Sequence, residues 1–159
     1  MQIRAVNPSE VPALRALYAD AVRSAGPAGY SEAQLRAWSA FAGEDGFEAF
    51  VLGVDTFVAV RGGRIEGFCG IADDGHVASI YVHGRCMRQG IGGALLDFAL
   101  ATHPAPSYGR YYAEASLLSL PLFQSRGFRL VGTETTQRGG VAFQRHLVEK
   151  VLKVGDTAR

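Results

Sequence analysis

The chain has 159 residues, 48% of them hydrophobic, which is enough to bury the core of one domain. Its 16 basic and 15 acidic side chains leave a formal charge of +1, which argues against broad electrostatic binding of nucleic acid or an anionic membrane. No apolar run reaches the roughly 20 residues of a membrane span, and the N-terminus lacks the pattern of a secretory signal.

One domain is predicted over residues 1–152, followed by a polar tail over residues 153–159 without core contacts. The two cysteines, Cys69 and Cys86, form no C-x-x-C motif. This pattern favours a reduced, cytoplasmic protein. The histidines show no paired ligand spacing, so no metal is expected. They are His76, His83, His103 and His146.

The first quarter of the chain predicts a strand and two helices. Residues 2–6 alternate polar and apolar side chains as a strand does, and an apolar stripe from Val11 to Val22 has helical spacing. Ser31 suits the N-cap of a second helix, and Gln34, three residues later, completes a capping box.

Three β-rich runs follow, over residues 56–60, 65–72 and 76–82. Gly62 and Gly63 divide the first two runs and suit a tight hairpin, and Asp73-Asp74-Gly75 turns the chain into the third. Strands joined in this way predict an antiparallel meander.

The second half predicts a helix over 94–102, a strand over 110–115 parallel to residues 76–82 and a short helix over 117–125. A final hairpin of residues 128–133 and 141–148 is predicted to turn through Arg138-Gly139-Gly140. The predicted order is therefore β-α-α-β-β-β-α-β-α-β-β. We expect a mixed α/β fold with a central sheet and helices on both faces.

The most informative segment is the glycine-rich loop Arg88-Gln89-Gly90-Ile91-Gly92-Gly93, which joins a strand to a helix. Glycines allow a tight turn and close approach of a ligand, and the free N–H groups at a helix start attract anions. A dinucleotide fingerprint would need glycine at Leu95, and no Gly-Lys-Ser/Thr motif is present. The loop predicts a phosphorylated cofactor, with a ligand-free turn as the alternative.

The order of elements, this loop and the segment from Phe123 to Phe128 together resemble the GNAT superfamily of acyl-CoA-dependent N-acyltransferases. Residues Tyr30 to Trp38 also resemble a segment of one bacterial subgroup of largely unassigned substrate. The resemblance implies a mostly antiparallel central sheet with a splayed parallel strand pair. It also implies acetyl-CoA as the cofactor.

By this resemblance, the amides of the glycine-rich loop bind the pyrophosphate of acetyl-CoA. The backbone of Ile80, Tyr81 and Val82 pairs with the pantetheine arm, and an amide of Tyr81 or Val82 donates to the developing oxyanion. Ser116 lies where the family contacts the cofactor arm or thiol. Phe123 replaces a tyrosine that protonates the thiolate in many members, and a phenyl ring cannot donate that proton. The implied cofactor-binding residues are Ile80, Tyr81, Val82, Arg88, Gln89, Gly90, Ile91, Gly92, Gly93, Ser116 and Phe123.

An acceptor amine of pKa about 10.4 needs roughly 4 to 5 kcal/mol to expose its lone pair at pH 7, so a base is expected. Glu114 is one candidate, with a solvated or salt-bridged carboxylate as the alternative. His76 is another, with simple exposure as its alternative. Tyr81, Tyr111 and Tyr112 can supply a hydroxyl, although strand alternation points the last two to opposite faces.

Three further residues are candidates near the acceptor or the thiol. Ser116 can replace the missing phenol, or cap a helix beginning at Leu117. Tyr30 and Trp38 can line an acceptor pocket, although a lone tryptophan on an amphipathic helix more often packs inward. Cys86 suggests an acyl-enzyme, but only His83 lies near it in sequence, so this route is disfavoured.

The sequence therefore predicts an acetyl-CoA-dependent N-acetyltransferase in which a primary amine attacks the thioester directly within a ternary complex. One alternative is a CoA-binding sensor or interaction module without turnover, and another is transfer to a protein N-terminus or lysine. A small-molecule amine is favoured over a protein acceptor, and no nucleic acid or membrane partner is expected. A homodimer is compatible with the sequence, which does not identify the acceptor.

Overall fold

The structure is a computed structural model that describes residues 1–153. The predicted tail lies outside the described residues, apart from Lys153. The helices and strands, in chain order, are β1 (Gln2–Ala5), α1 (Val11–Arg23), α2 (Glu32–Ser39), α3 (Gly46–Leu52), β2 (Asp55–Arg61), β3 (Arg64–Ile71), β4 (Val77–Val82), α4 (Ile91–Thr102), β5 (Arg110–Ala115), α5 (Leu120–Ser125), β6 (Arg129–Arg138) and β7 (Val141–Val151).

The strands form two antiparallel sheets, in the orders β1-β2-β3-β4 and β5-β7-β6. A single parallel bridge between His76 and Tyr112 joins them. There the Tyr112 N–H donates to the Gly75 carbonyl over 3.0 Å. The mixed α/β fold class is confirmed, but the one central sheet of the prediction is divided, because β4 and β5 meet only where they begin and then separate.

Two apolar cores lie on opposite faces of the four-stranded sheet. One core packs α4 against the sheets through Leu95, Leu96 and their neighbours. The other packs α1, α2 and α3 around Tyr18, Phe47 and Phe68. Helices therefore cover both faces, as predicted. Within residues 1–153, no helix is long and apolar enough to span a membrane.

Helix α3 is absent from the predicted order. Phe47 and Val51 are buried in it, and Phe50 packs beside them at the spacing of one helical turn. Gly46 begins the helix and Gly53 follows it. Burial of the aromatic side chains stabilises the helix despite these flanking glycines.

Helix α5 begins at Leu120, three residues later than predicted. Ser116 and Ser119 hold the preceding turn, because each backbone N–H donates to the other residue's hydroxyl over 3.0 Å. The prediction that Ser116 caps a helix starting at Leu117 is therefore wrong. Its hydroxyl stabilises the turn that comes before the helix.

The two predicted glycine hairpins are confirmed. Gly62 and Gly63 have φ angles of 59° and 76°, and Gly139 and Gly140 have 54° and 77°, which suit two-residue turns of the hairpin type. Strand β6 runs to Arg138, five residues beyond the predicted end at Thr133. Residues 134–138 are all polar, which resembles a loop in sequence, but they pair in register with β7.

A bulge near the start of β4 accompanies the separation of the sheets. Gly70 pairs with Ser79 and Ile71 with Val77, so Ala78 is an extra residue on β4. From there to Val82, β4 has β3 along one edge, while its other edge faces the gap in front of β5.

Candidate active site

A cavity of about 520 Å³ fills the gap between β4 and β5, and we call it the loop cavity. Its wall includes the open edge of β4, the glycine-rich loop, the end of β5 and the first part of α5. Of the predicted residues, it is lined by Tyr30, Trp38, Ile80, Tyr81, Val82, Arg88, Gly90, Ile91, Gly92, Gly93, Glu114, Ser116 and Phe123. The structure therefore brings together most of the predicted site.

The glycine-rich loop presents free backbone donors to this cavity. Arg88 and Gly90 adopt left-handed φ angles of 63° and 83°, and Gly90 caps α4 without a side-chain hydrogen bond. In the part of the chain that the structure describes, no backbone N–H from Arg88 to Gly93 donates to another protein group. Six such donors beside the positive end of a helix dipole form an anion site.

Gly92 keeps this anion site open. A Cβ atom built at this position would lie 3.1 Å from Leu122 Cδ2 and 3.6 Å from a Val82 methyl carbon. Both neighbours belong to the wall of the loop cavity. A larger side chain would therefore intrude into the loop cavity beside the free amides.

Gln89 is the one predicted loop residue outside the wall. Its side-chain oxygen accepts from Arg61 Nη2 over 2.7 Å, and its amide nitrogen donates to the Arg85 carbonyl over 3.3 Å. These bonds engage the side chain outside the cavity. Gln89 can therefore contribute to ligand binding through its backbone N–H.

Glu114 and His76 are brought together across the gap between the sheets. His76 Nε2 lies 2.9 Å from Glu114 Oε1 and 3.1 Å from Oε2. Glu114 lines the loop cavity, whereas His76 lies behind it. The contact combines two residues that were separate candidates in the sequence.

This contact shifts the pKa values of Glu114 and His76 in opposite directions. The hydrogen bond from His76 lowers the pKa of the Glu114 carboxyl, against an opposing effect of burial. The same bond raises the pKa of His76, again against burial. The imidazole therefore has more affinity for a proton, and the carboxylate less, than either group has in water.

Tyr112 and Asp74 hold the His76 ring in place. The Tyr112 ring stacks on the imidazole with centroids 4.8 Å apart, and its hydroxyl donates to Asp74 Oδ2 over 2.6 Å. This bond raises the pKa of Tyr112 to about 12. Tyr111 points to the opposite face, as predicted, and donates to the His103 carbonyl over 2.6 Å. Neither tyrosine lines the loop cavity.

Aromatic side chains form the wall of the cavity next to α2. The Tyr30 hydroxyl accepts the Leu117 N–H over 2.9 Å, and the Tyr30 ring lies 5.2 Å from the Trp38 ring. Tyr81 packs 4.5 Å from Tyr18, and burial raises the pKa of the Tyr81 phenol. Trp38 belongs to the core and to the cavity wall at the same time.

Neither Phe123 nor Ser116, the residues predicted to lie near the cofactor thiol, offers a free acidic group. Phe123 is buried and packs edge-to-face on Phe128 with centroids 5.0 Å apart. The Ser116 hydroxyl lies 3.1 Å from the Ser119 hydroxyl. Burial and the neighbouring Glu66 raise the pKa of the Cys86 thiol, which disfavours the thiolate that an acyl-enzyme route needs.

A second cavity, of about 710 Å³, adjoins the first and is missing from the sequence prediction. It lies between α2 and the β6–β7 hairpin, and we call it the hairpin cavity. The residues that line both cavities are Ala78, Tyr81, Glu114, Arg138 and Arg145. Sequence reasoning placed Arg138 only in a hairpin turn and did not single out Arg145, because neither residue belongs to a catalytic or binding motif.

Asp55, Asp73 and His103 also come together, although sequence spacing gave no indication of it. His103 Nε2 lies 3.0 Å from the Asp55 carboxylate and 3.4 Å from that of Asp73. Both carboxylates are largely exposed. The three side chains form a surface ion-pair cluster, and none of them lines either cavity.

Comparison with known proteins agrees with this architecture. Residues 28–149 match a family model described as an acetyltransferase (GNAT) domain. A GCN5-related N-acetyltransferase from Rhodopseudomonas palustris superposes with a TM-score of 0.90 at 23% identity, covering 95% of each chain. Comparison with curated proteins gives no significant match.

Two structures with lower TM-scores were solved with acetyl-CoA or coenzyme A bound. YncA from Salmonella typhimurium, solved with its cofactor acetyl-CoA, has a TM-score of 0.66 at 19% identity over 96% of this chain and 94% of its own. The PaiA N-acetyltransferase from Thermoplasma acidophilum, in complex with coenzyme A, has a TM-score of 0.70 at 17% identity over 94% and 98%. Together with the family match over most of its length, the shared fold identifies this chain as a member of the GNAT acetyltransferase family.

Proposed function

We propose that this protein is an acetyl-CoA-dependent N-acetyltransferase that acts on the primary amine of a small molecule by direct attack in a ternary complex. One observation carries the proposal. The His76–Glu114 pair stands at the junction of two cavities, one of which leads to a loop of free backbone amides. A base placed between an anion site and a second cavity suits transfer between two substrates.

The chain offers a fitting site for acetyl-CoA, since Gly92 leaves open the space that the loop amides face. The N–H groups of Arg88 to Gly93 would hold the pyrophosphate, and the open edge of Ile80 to Val82 would pair with the pantetheine arm. The main-chain N–H of Val82 would donate to the thioester oxygen, since His83 bonds to Glu66 of β3 and strand alternation directs Val82 to the open edge. Acetyl-CoA supplies, when bound, an acetyl thioester that a free amine attacks with release of the thiol.

The amine must lose a proton, and Glu114 is the member of the pair that reaches the cavity. We propose that Glu114 receives this proton, directly or through water, and that the charge is shared with His76. Because the pKa of His76 is raised, the neutral imidazole is the stronger proton acceptor of the two groups. His76 and Glu114 therefore act together as the base in this proposal.

The departing thiolate needs a proton as well, and Phe123 cannot supply it. Tyr81 lines both cavities, and its raised pKa means that the phenol keeps its proton at working pH. We propose that the Tyr81 hydroxyl serves this role. A thiol of pKa about 8.5 is already a fair leaving group, so the contribution is modest.

Glu114→Gln tests the proposed base, since it keeps the shape of the side chain and removes the carboxylate. We expect the rate of acetyl transfer to fall by about 10²-fold, the lower end of the usual contribution of a general base. The loss should be largest at lower pH, where free amine is scarcest, while acetyl-CoA affinity in calorimetry stays unchanged. An unaltered pH profile would remove Glu114 as the base.

Glu149→Gln is the matched control. Glu149 is a similarly half-buried carboxylate on β7, paired with Arg110 over 3.3 Å, and it lines neither cavity. This variant should keep the wild-type rate and pH profile. A panel of amines with release of free thiol as the readout also separates an enzyme from a CoA-binding module, which would bind acetyl-CoA without releasing thiol.

A further inference from the structure

The wall shared by the two cavities carries more positive than negative groups. Glu114 is its carboxylate, and Arg138 and Arg145 are its two cations. Glu114 is paired with His76, and Arg145 forms an ion pair with Glu134. Among residues 1–153, no carboxylate lies within ion-pair distance of Arg138. Arg138 is thus the cation of this wall that lacks a counter-charge.

The surroundings of Arg138 do not satisfy its guanidinium group. Nη1 lies 3.5 Å from the hydroxyl of the buried Tyr18, which is long for a hydrogen bond, and the group lies 6.0 Å from the centre of the Phe41 ring. Both neighbours are uncharged, and the side chain is half-buried. A guanidinium has five donors in a planar fork that matches a carboxylate, so this position favours an incoming planar anion.

The backbone that carries Arg138 is held in place. Arg138 ends β6, and the glycine turn that follows leads directly into β7. Gln34 on α2 donates from Nε2 to the Ala142 carbonyl over 3.1 Å, which ties this hairpin to the helix. The cation is therefore presented to the hairpin cavity from a fixed position.

Aromatic rings line part of the rest of the hairpin cavity. They belong to Tyr18, Phe41 and Phe50, together with Tyr81 of the shared wall. Two exposed charged residues also line it: Arg36, which forms an ion pair with Glu32 over 3.9 Å, and Glu44. A molecule that fills this cavity meets these rings, the exposed Glu44, one unpaired cation and, at the junction, Glu114.

We propose that the acceptor is an apolar amino acid, whose carboxylate binds Arg138, whose side chain packs on the aromatic wall and whose amine faces Glu114. This inference rests on the proposed function for the fate of the amine, but its binding step can be measured alone. Arg138 is here a specificity-determining residue. It recognises the acceptor and takes no part in proton transfer.

The test uses three amino acids and their decarboxylated counterparts: phenylalanine with 2-phenylethylamine, leucine with isoamylamine, and methionine with 3-(methylthio)propylamine. Dissociation constants are measured by calorimetry on the coenzyme A-loaded protein, and thiol release is measured with acetyl-CoA. Arg138→Met should weaken binding of the preferred amino acid by about 10- to 100-fold, the usual effect of losing a charged hydrogen-bond pair. Its decarboxylated counterpart should change less than about twofold.

Two further variants guard against a folding artefact. Arg138→Lys keeps the charge but loses the planar fork, so its affinity should fall between those of the wild type and Arg138→Met. Arg129→Met removes an exposed arginine from the other end of the same strand, outside both cavities, and should bind as the wild type does.

The outcomes separate this inference from the proposed function. Equal loss of amino acid and amine binding in Arg138→Met, or no binding of any of the three amino acids to the wild type, overturns the inference. If acetyl is transferred to the decarboxylated amines but not to the amino acids, the inference is overturned and the proposed acetyltransferase activity stands. Arg138-dependent binding of an amino acid without thiol release supports the recognition site and contradicts the proposed enzyme.

Discussion

Glu114 and His76 show how the properties of a single side chain depend on its partner. Alternation along β5 places Glu114 on the half-buried face, next to the gap between the sheets. His76 reaches it from the start of β4, and the resulting bond moves the two pKa values apart. A carboxylate of lowered pKa is a weak base when it acts alone. Its proposed role therefore depends on the imidazole behind it.

Tyr81→Phe tests the proposed proton donor, because it removes the hydroxyl and keeps the aromatic ring. We expect the rate of acetyl transfer to fall about tenfold, equivalent to about 1.4 kcal/mol, because thiolate departure loses an acid. The affinity for acetyl-CoA, measured by calorimetry, should not change. Steady-state thiol release at saturating acetyl-CoA is the readout.

Tyr108→Phe is the control for this substitution. It also removes a tyrosine hydroxyl, but one on an exposed side chain that lies outside both cavities. If Tyr81→Phe retained the full rate, the ring alone would explain the position of Tyr81, and the thiolate would take its proton from water.

The glycine-rich loop and α4 form a unit in which local conformation creates the binding site. Left-handed Arg88 and Gly90 turn the chain so that α4 starts without a side-chain cap. The N–H groups that a serine or aspartate cap would satisfy elsewhere thus remain free. A positive φ is uncommon at a residue other than glycine, and Arg88 adopts one in this turn.

Gly92→Leu should weaken acetyl-CoA binding by at least about tenfold, or about 1.4 kcal/mol. The new side chain would start 3.1 Å from Leu122 Cδ2 and enter the space in front of the amides. Calorimetric titration with acetyl-CoA measures the effect, and thermal unfolding checks that the variant is folded. Leucine has a higher helix propensity than glycine, which offsets part of any loss of stability.

Gly43→Ala provides the matched control, because a Cβ there has no neighbour within 4 Å. It should bind acetyl-CoA as the wild type does. Acetyl-CoA affinity that is unchanged in Gly92→Leu would contradict the assignment of the loop to the pyrophosphate.

The β6–β7 hairpin and α2 form the second functional unit. Gln34 closes the capping box of α2 through Ser31 and also binds the hairpin at Ala142. The same residue therefore starts the helix and holds the strand pair that carries Arg138. The segment from Tyr30 to Trp38, which resembles a subgroup of the family, thus contributes Tyr30 and Trp38 to the loop cavity and Ala33, Arg36 and Ala37 to the hairpin cavity.

The molecule as a unit is two sheets that meet at one bridge and open into a shared cleft. The parallel bridge between His76 and Tyr112 lies directly beside the His76–Glu114 pair. The groups proposed for catalysis therefore also connect the sheets. Stability and activity should then respond to pH through the same residues.

The directions of the pKa shifts of His76 and Glu114 define the pH range in which this pair stabilises the fold. The raised pKa of His76 gives stability that is present below its unfolded value and lost as pH rises through the folded value. The lowered pKa of Glu114 gives stability that is present above its unfolded value and lost as pH falls through the folded value. The pair therefore stabilises the fold most between the ordinary values of 4.5 and 6.5.

His76→Gln should lower the free energy of unfolding by about 1 kcal/mol near pH 5.5, and by less near pH 9, where the imidazole is neutral. Urea unfolding at both pH values measures the difference. His146→Gln is the control, since no ion pair of His146 is found in residues 1–153. A loss that is equal at both pH values would show that packing against Tyr112, and not charge, explains the effect.

The glycine-rich loop, both glycine hairpins and the capping box of Ser31 were predictable from the sequence, because turn and helix-start preferences depend on neighbouring residues. The contact of His76 with Glu114, 38 residues apart, and the proximity of Arg138 to Tyr18, 120 residues apart, were not. Such contacts depend on strand register, where a shift of one residue turns every side chain to the other face. Local chemistry thus predicts an anion site at the glycine-rich loop, whereas the packing of the two sheets brings the proposed base and the arginine without a counter-charge to the same cleft.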